Sequence, residues 1–226
     1  MSKTFVSAVV SAGLAIVGVA VVLSTRSIGA TGSSFPDPAV DAERSPSKGK
    51  QTAVFAGGCF WCTEAVFEQL AAVNKVVSGY AGGKASMASY ELVSSGKTDH
   101  AESIEITFDP SKITYGQLLK VFFSVAHDPT QLNRQGPDFG RQYRSVVFYK
   151  DPEQKRIVEA YIQQLGEAKV FGKPIVTEVS ALKGFYPAEE YHQDFVKRNP
   201  KHQYVVVNAI PKLQKLKKMY PELLRK

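Results

Sequence analysis

An α+β domain, a mixed sheet with helices against it, is the fold class that three observations predict. From Gln51 onward, short apolar strand patterns alternate with helical periodicities, and no internal repeat stands out. Residues 1–50 look non-globular, and the 176 that remain of 226 are enough for one sizeable core.

The elements follow in order. Thr52-Ala53-Val54-Phe55-Ala56 is a short apolar strand, Gly57-Gly58 a turn, and Cys59 to Leu70 a helix that offers Ala65, Val66, Phe67 and Leu70 to the core. Val73 to Gly79 reads as a second strand and Gly79-Tyr80-Ala81-Gly82-Gly83 as a turn. Ala101 to Phe108 is a strand alternating Ile104, Ile106 and Phe108. Thr114 to Val125 carries the 3.6-residue period through Leu118, Leu119, Phe122 and Phe123. Ser145 to Tyr149 is a strand, and Asp151-Pro152-Glu153 starts a helix running to about Ala168. A strand at Ile175 to Val179 and a helix from Pro187 to Lys197 come next. Pro211 to Lys226 combines Leu213, Leu216, Met219 and Tyr220 with Lys212, Lys215, Lys217 and Lys218, which reads as a short helix packed on the domain with a solvated basic face; Pro221 stops it. Contact of that face with an anionic membrane or an acidic partner is the sharper alternative.

The first 50 residues divide in two. Phe5 to Leu23 is a 19-residue uncharged run ended by Ser24-Thr25-Arg26, which predicts either a cleaved signal peptide or an uncleaved membrane anchor within residues 1–30. Residues 31–50, rich in Ser, Pro, Gly and charge, read as a flexible linker to a catalytic domain at 51–226. The protein is accordingly expected outside the cytoplasm, secreted or tethered to a membrane.

Charge excludes one class of partner. The net charge is +7, of which residues 212–226 carry +5 and residues 1–50 carry +2, so the body of the domain is neutral and nucleic acid is not an expected partner. Two cysteines cannot staple a scaffold.

Those two cysteines and the single tryptophan fall together in Cys59-Phe60-Trp61-Cys62. A cysteine at a helix N-terminus faces unpaired N–H groups and the positive end of the helix dipole, so Cys59 is expected to be a reactive thiolate. A zinc site would need further ligands, and His100, His127, His192 and His202 lack ligand-like spacing. Haem attachment fails because Thr63 stands where a histidine must follow. A general thiol-disulfide oxidoreductase is the serious rival, although the pair between its cysteines is usually small or proline, whereas here it is bulky and aromatic. Two inert buried cysteines would need neither the glycine turn nor the helix start.

Gly57-Gly58-Cys59-Phe60-Trp61-Cys62-Thr63-Glu64 resembles the active-site signature of the type A peptide methionine sulfoxide reductases, in a subgroup with Cys-x-x-Cys, and the resemblance runs through almost all of residues 51–210. In order, Gly79-Tyr80-Ala81-Gly82-Gly83, Tyr90-Glu91-Leu92-Val93-Ser94-Ser95-Gly96, His100-Ala101-Glu102, His127-Asp128-Pro129-Thr130, Asn133 to Asp138, Gly140 to Ser145 and Phe185-Tyr186-Pro187-Ala188-Glu189 all match. The resemblance implies a two-layer ferredoxin-like mixed sheet and thiol-dependent reduction of methionine S-sulfoxide, protein-bound or free, with no metal or organic cofactor. It implies Cys59 as nucleophile, Glu102 as the acid that protonates the departing oxygen, Tyr90 and Tyr143 around that oxygen, Asp138 in support, and Phe60 and Trp61 around the S-methyl group. Taken singly, Glu102 reads as a solvated strand end, the two tyrosines as core or surface residues, and the aromatic pair as core. Once the oxygen has left the substrate, Cys59 is a sulfenic acid awaiting a second thiol. Many relatives place that thiol near the C-terminus, where this chain has none. Cys62 is the available resolver, three residues on along a helix and within disulfide range if the first turn distorts slightly. A thioredoxin-like dithiol is the expected reductant, and a monomer the expected assembly.

Overall fold

The protein is described by a computed structural model covering Met1, residues 35–45 and residues 49–226. The apolar run Phe5–Leu23 lies outside the described residues, and among the described residues no helix is long and apolar enough to cross a membrane. Residues 35–226 form one compact unit.

β1 (Gln51–Gly57) runs into α1 (Phe60–Glu68), and β2 (Val73–Ala81) follows. After the short α2 (Tyr90–Ser94) come β3 (Ala101–Phe108) and α3 (Tyr115–Val121). A two-residue hairpin, β4 (Arg134–Gln135) and β5 (Asp138–Phe139), precedes β6 (Ser145–Tyr149) and α4 (Pro152–Glu167). The chain closes with β7 (Glu178–Ala181), β8 (Phe185–Pro187), α5 (Phe195–Arg198) and α6 (Ile210–Met219). Six strands form one sheet in the order β7-β6-β1-β3-β2-β8, antiparallel throughout except for the parallel pair β6/β7.

β1 lies between β3 and β6, with Phe55 opposite Ile104 on one side and Val147 on the other. Alternation then sorts its side chains. Ala53 and Phe55 face the main core with Phe67, Leu118, Phe122 and Tyr161, whereas Val54 and Ala56 join Val146 and Phe148 in a small cluster capped by Leu182 and Phe185. Local signals hold where they were strongest. The Thr114 hydroxyl accepts from Gln117 N at 3.1 Å while Thr114 N donates to Gln117 Oε1 at 3.0 Å, a capping box that starts α3. Asp151 caps α4 through Gln154 N at 2.8 Å, with Pro152 in its first turn.

Four expectations change. The helix expected through Val125 is α-helical to Val121 and then widens into a π turn over Phe122–Ala126. The turn placed at Gly79–Gly83 begins later, since Gly79, Tyr80 and Ala81 still pair with β8 and β3. The strand read at Ile175–Val179 lies at Glu178–Ala181, where it can pair with β6.

The helix read over Pro187–Lys197 is the largest correction. Pro187 ends β8 opposite Gly79, residues 190–192 make one 3₁₀ turn, and only Phe195–Arg198 is α-helical. Gln193 explains the break. Its amide accepts from Ser78 N and donates to Ser78 O, both at 2.9 Å, copying a strand partner, and Asp194 then adopts a left-handed φ of 53°.

Residues 35–45, assigned to the linker by composition, run extended along the domain. Tyr161 donates to Pro36 O at 2.6 Å, Gln164 pairs with Ala39 N and Asp37 O at 2.8 Å each, and Asp41 accepts from Gly116 N at 2.7 Å. Polar sequence here pairs with backbone instead of with water.

α1 is buried on nearly every side, because the sheet covers one face and the C-terminal segment the other. That segment enters through a π turn at Val205–Ala209 and continues as α6, which buries Leu216 and leaves Lys215, Lys217 and Lys218 exposed, with Tyr220 buried just after it. Leu224 bridges back to Leu70.

Candidate active site

The end of β1 delivers Cys59 through a turn only glycine can make. Gly58 has φ +86°, and a Cβ there would lie 2.4 Å from the Gln135 side chain. Gln135 is itself held by Asp128, through Asp128 N at 3.2 Å and Asp128 O at 3.1 Å, and pairs with Asp138 across the β4/β5 hairpin. The same packing that seats the turn therefore presents Asp138.

Cys59 is the residue before α1 and is buried, as is Cys62 one turn on; both thiols are free. Cys59 O accepts from Cys62 N at 3.1 Å and from Thr63 N at 3.5 Å, so the first turn has 3₁₀ character, which draws side chains three apart toward one another. The two thiols are close enough to act on each other's acidity.

The free N–H groups of this helix start do not serve the Cys59 sulfur as expected. Cys59 makes no side-chain cap bond, and Phe60 N donates instead to Glu102 Oε2 at 3.1 Å. Burial, the neighbouring Cys62 and Glu102 push the Cys59 thiol well above its ordinary range, whereas the neighbouring Cys59 and the Lys212 ammonium pull Cys62 down against its own burial. The expectation of a resting Cys59 thiolate is thus corrected.

Glu102, on β3 opposite Tyr80, is buried, and desolvation pushes its carboxyl up to about 8 against the Phe60 N–H, with Asp138 adding to the rise. It is protonated at neutral pH. Tyr90, at the start of α2, and Tyr143, in the 3₁₀ turn after Gly140, are half-buried; desolvation raises both phenols, and Glu102 and Cys59 are the next causes for each, so both face this carboxyl and sulfur. The Tyr143 turn is held by Arg144, which donates to Asp99 O and Arg141 O at 2.9 Å and pairs with Glu178 at 3.2 Å.

Phe60 is fully buried between Tyr80 and His192, with ring centres 5.9 and 5.0 Å away. Trp61 is half-buried, stacks on Phe195 at 3.7 Å and 7°, and donates from Nε1 to His192 Nδ1 at 3.1 Å. All eight residues expected from the sequence, Cys59, Phe60, Trp61, Cys62, Tyr90, Glu102, Asp138 and Tyr143, therefore come together around α1's first turn.

Four further residues were not anticipated. Tyr204 donates to Asp138 Oδ2 and lies near both sulfurs. Lys212 acts on Cys62 and Asp138 together. Glu189 accepts from the Tyr80 hydroxyl and from Tyr90 N at 2.9 Å each, and His192 meets Trp61. Glu189 stood in a matched motif without a role; nothing local marks the other three. His100 and His127 have structural work instead. His100 holds Gly83 N at 3.2 Å and Lys84 O at 2.9 Å, and His127, driven down to about 3 by burial, joins Phe122 O to Ser145.

A cleft of about 870 Å³ lies elsewhere, lined by Phe35, Phe123, Leu132, Arg134, Phe171 and Lys173 among others. It holds none of the residues around the two thiols.

A family model described as peptide methionine sulfoxide reductase matches residues 51–223. A Synechocystis protein named peptide methionine sulfoxide reductase MsrA 2 is 52% identical over 210 residues, spanning 92% of this chain and 98% of that protein. Among solved structures, Mxr1 from Saccharomyces cerevisiae in reduced form is 32% identical with a TM-score of 0.61, covering 71% of this chain and 91% of its own. The methionine sulfoxide reductase A of Corynebacterium diphtheriae is 34% identical with a TM-score of 0.60, covering 68% and 77%.

Proposed function

The chain belongs to the peptide methionine sulfoxide reductase family, and from that membership we propose that it reduces methionine S-sulfoxide, in proteins and as the free amino acid, to methionine. The observation that carries the reading is the placement of a nucleophile and an acid in one buried site: Cys59, and a Glu102 carboxyl that keeps its proton to about 8. The sulfoxide oxygen is a basic leaving group, so sulfur attack needs a proton donor aimed at it. Glu102 gives that proton while the Cys59 sulfur attacks, and the thiol proton restores the carboxyl. Tyr90 and Tyr143 donate to the same oxygen. The balance is one thiol and one sulfoxide in, one thioether and one sulfenic acid out.

Cys62 resolves that sulfenic acid. Its lowered thiol attacks the Cys59 sulfur, a Cys59–Cys62 disulfide forms and water leaves; the tightened first turn supports this pairing. A thioredoxin-like dithiol reduces the disulfide. Trp61 and Phe60 enclose the substrate methyl group, so that the opposite epimer would direct its oxygen away from Glu102. The fold is read as a ferredoxin-like core with added strands, supported by the four antiparallel strands β6-β1-β3-β2 and the helices α1 and α3 between them. The uncharged run Phe5–Leu23 supports a place outside the cytoplasm, secreted or membrane-tethered, and the chain works as a monomer.

Turnover of a methionine sulfoxide dipeptide, each epimer assayed separately with a dithiol reductant, tests the reading. Reduction of the S epimer alone is expected. Equal rates on both epimers, or turnover of disulfides without sulfoxide reduction, would turn the assignment toward general thiol-disulfide exchange.

A further inference from the structure

His192 takes no part in the chemistry above, yet its buried ring meets three aromatic rings of the site. Phe60 lies 5.0 Å, Trp61 5.7 Å and Tyr90 4.5 Å from it, centre to centre. An indole N–H can only donate, so the 3.1 Å bond from Trp61 Nε1 places the lone pair of His192 on Nδ1 and its proton on Nε2. That Nε2 has no hydrogen-bond partner among the described residues and lies 4.0 Å from Glu189 Oε2. Glu189 is held in turn by the Tyr80 hydroxyl and Tyr90 N.

Stacking on Phe195 leaves one freedom open. A ring contact at 3.7 Å and 7° sets the indole plane but lets the indole turn within that plane. The N–H bond to His192 removes this rotation.

We propose that His192 is a positioning residue for sulfoxide reduction: it fixes the in-plane orientation of Trp61, and with it the wall that receives the substrate methyl group, while Glu189 favours the tautomer that accepts. The inference rests on the reading of the chain as a methionine sulfoxide reductase. Burial supports it by holding the His192 pKa below its ordinary 6.5, only partly opposed by Glu189, so the ring is neutral at pH 7. Protonation would make Nδ1 a donor facing a donor, and the bond would be lost. The titratable groups that face this ring are Glu189, Tyr90 and Tyr191, and His202 lies edge-on to Trp61 at 6.5 Å.

Trp61 is the only tryptophan, so its fluorescence reads the contact directly in the full chain without substrate. Wild-type emission is expected to change on acidification below pH 6.5. His192→Gln, whose amide oxygen can still accept, should abolish that change and keep KM within about threefold of wild type. His202→Gln should retain the change. His192→Phe should raise KM for the S-sulfoxide dipeptide about tenfold with kcat altered less than about threefold. An acid-dependent emission change that survives in His192→Gln overturns the proposal, as does a folded His192→Phe with wild-type KM. If His192→Phe fails to fold, His192→Gln decides alone through its KM and emission. A wild-type protein inert toward both epimers defeats the functional reading, and the emission series still decides whether His192 holds Trp61.

Discussion

Cys59 and Cys62 are one turn apart on the same helix, but they belong to different halves of the molecule. Cys59 packs with the main core and answers to side chains around the sheet: Glu102 from β3, Tyr90 from α2, Tyr143 from the turn before β6. Cys62 packs in a separate cluster with Ala65, Val196, Val205 and Ala209, and answers to Tyr204 and Lys212 from the C-terminal segment. The first half is built of neutral acids in a desolvated space. The second brings in a cation. The Cys59 thiol is raised and the Cys62 thiol lowered, so the layer that covers each sulfur sets their relative acidity.

Separating the two thiols by mutation tests this division most severely. Cys59→Ser should lower sulfoxide reduction by roughly 10⁴-fold or more, because a hydroxyl lacks thiol nucleophilicity. Cys62→Ser should still release one methionine per enzyme in a single turnover, then stall with a thioredoxin-type reductant and recover partly with small thiols. Undiminished steady-state turnover of Cys62→Ser would place both steps on Cys59.

Glu102→Gln should slow the release of that first methionine by about 100-fold while leaving Cys59 alkylatable. The wild-type rate should fall as pH rises through about 8, where the carboxyl loses the proton it must give. A near-wild-type rate in the Gln variant would remove the acid from the sheet-borne half.

Glu64 sharpens the comparison, because its buried carboxyl on α1 is also pushed up to about 8 by desolvation yet belongs to neither step. A raised carboxyl pKa means that the folded state holds a proton the unfolded chain has lost, so this group's contribution to stability falls as pH rises from about 4.5 through about 8. Glu64→Gln should therefore stabilise the domain at pH 8 to 9 by about 1–3 kcal/mol in urea melts, with methionine release within about twofold of wild type. Slowing on the Glu102 scale would show that Glu64 also takes part in the first step.

The smallest effect should come from Lys212→Met. Without the ammonium, the Cys62 thiol rises, and disulfide formation measured by rapid quench should slow about 3- to 10-fold while single-turnover methionine release stays unchanged. Slowing of the first step instead would join the two halves into one.

Much of this was legible before any coordinates. Alternation at Ala101–Phe108, the Asp151-Pro152 start and the Gly58 turn each depend on residues a few positions apart, and each stands where the sequence puts it. The matched motifs likewise brought Glu102, Tyr90, Asp138 and Tyr143 to Cys59. The break at Gln193 was not legible, because its partner is Ser78 in another strand; nor was the packing of residues 35–45, which turns on Tyr161, Gln164 and Gly116. By itself the sequence determined which groups could react. Tertiary structure decided how the two thiols differ in acidity, because that depends on how completely water is removed from each sulfur and on which groups lie beside it: Glu102, Tyr204 and Lys212 come from 43 to 150 positions away along the chain from the sulfurs they act on. Helix position biases a thiol by one local dipole, whereas desolvation and neighbouring charges are sums over the whole surrounding fold.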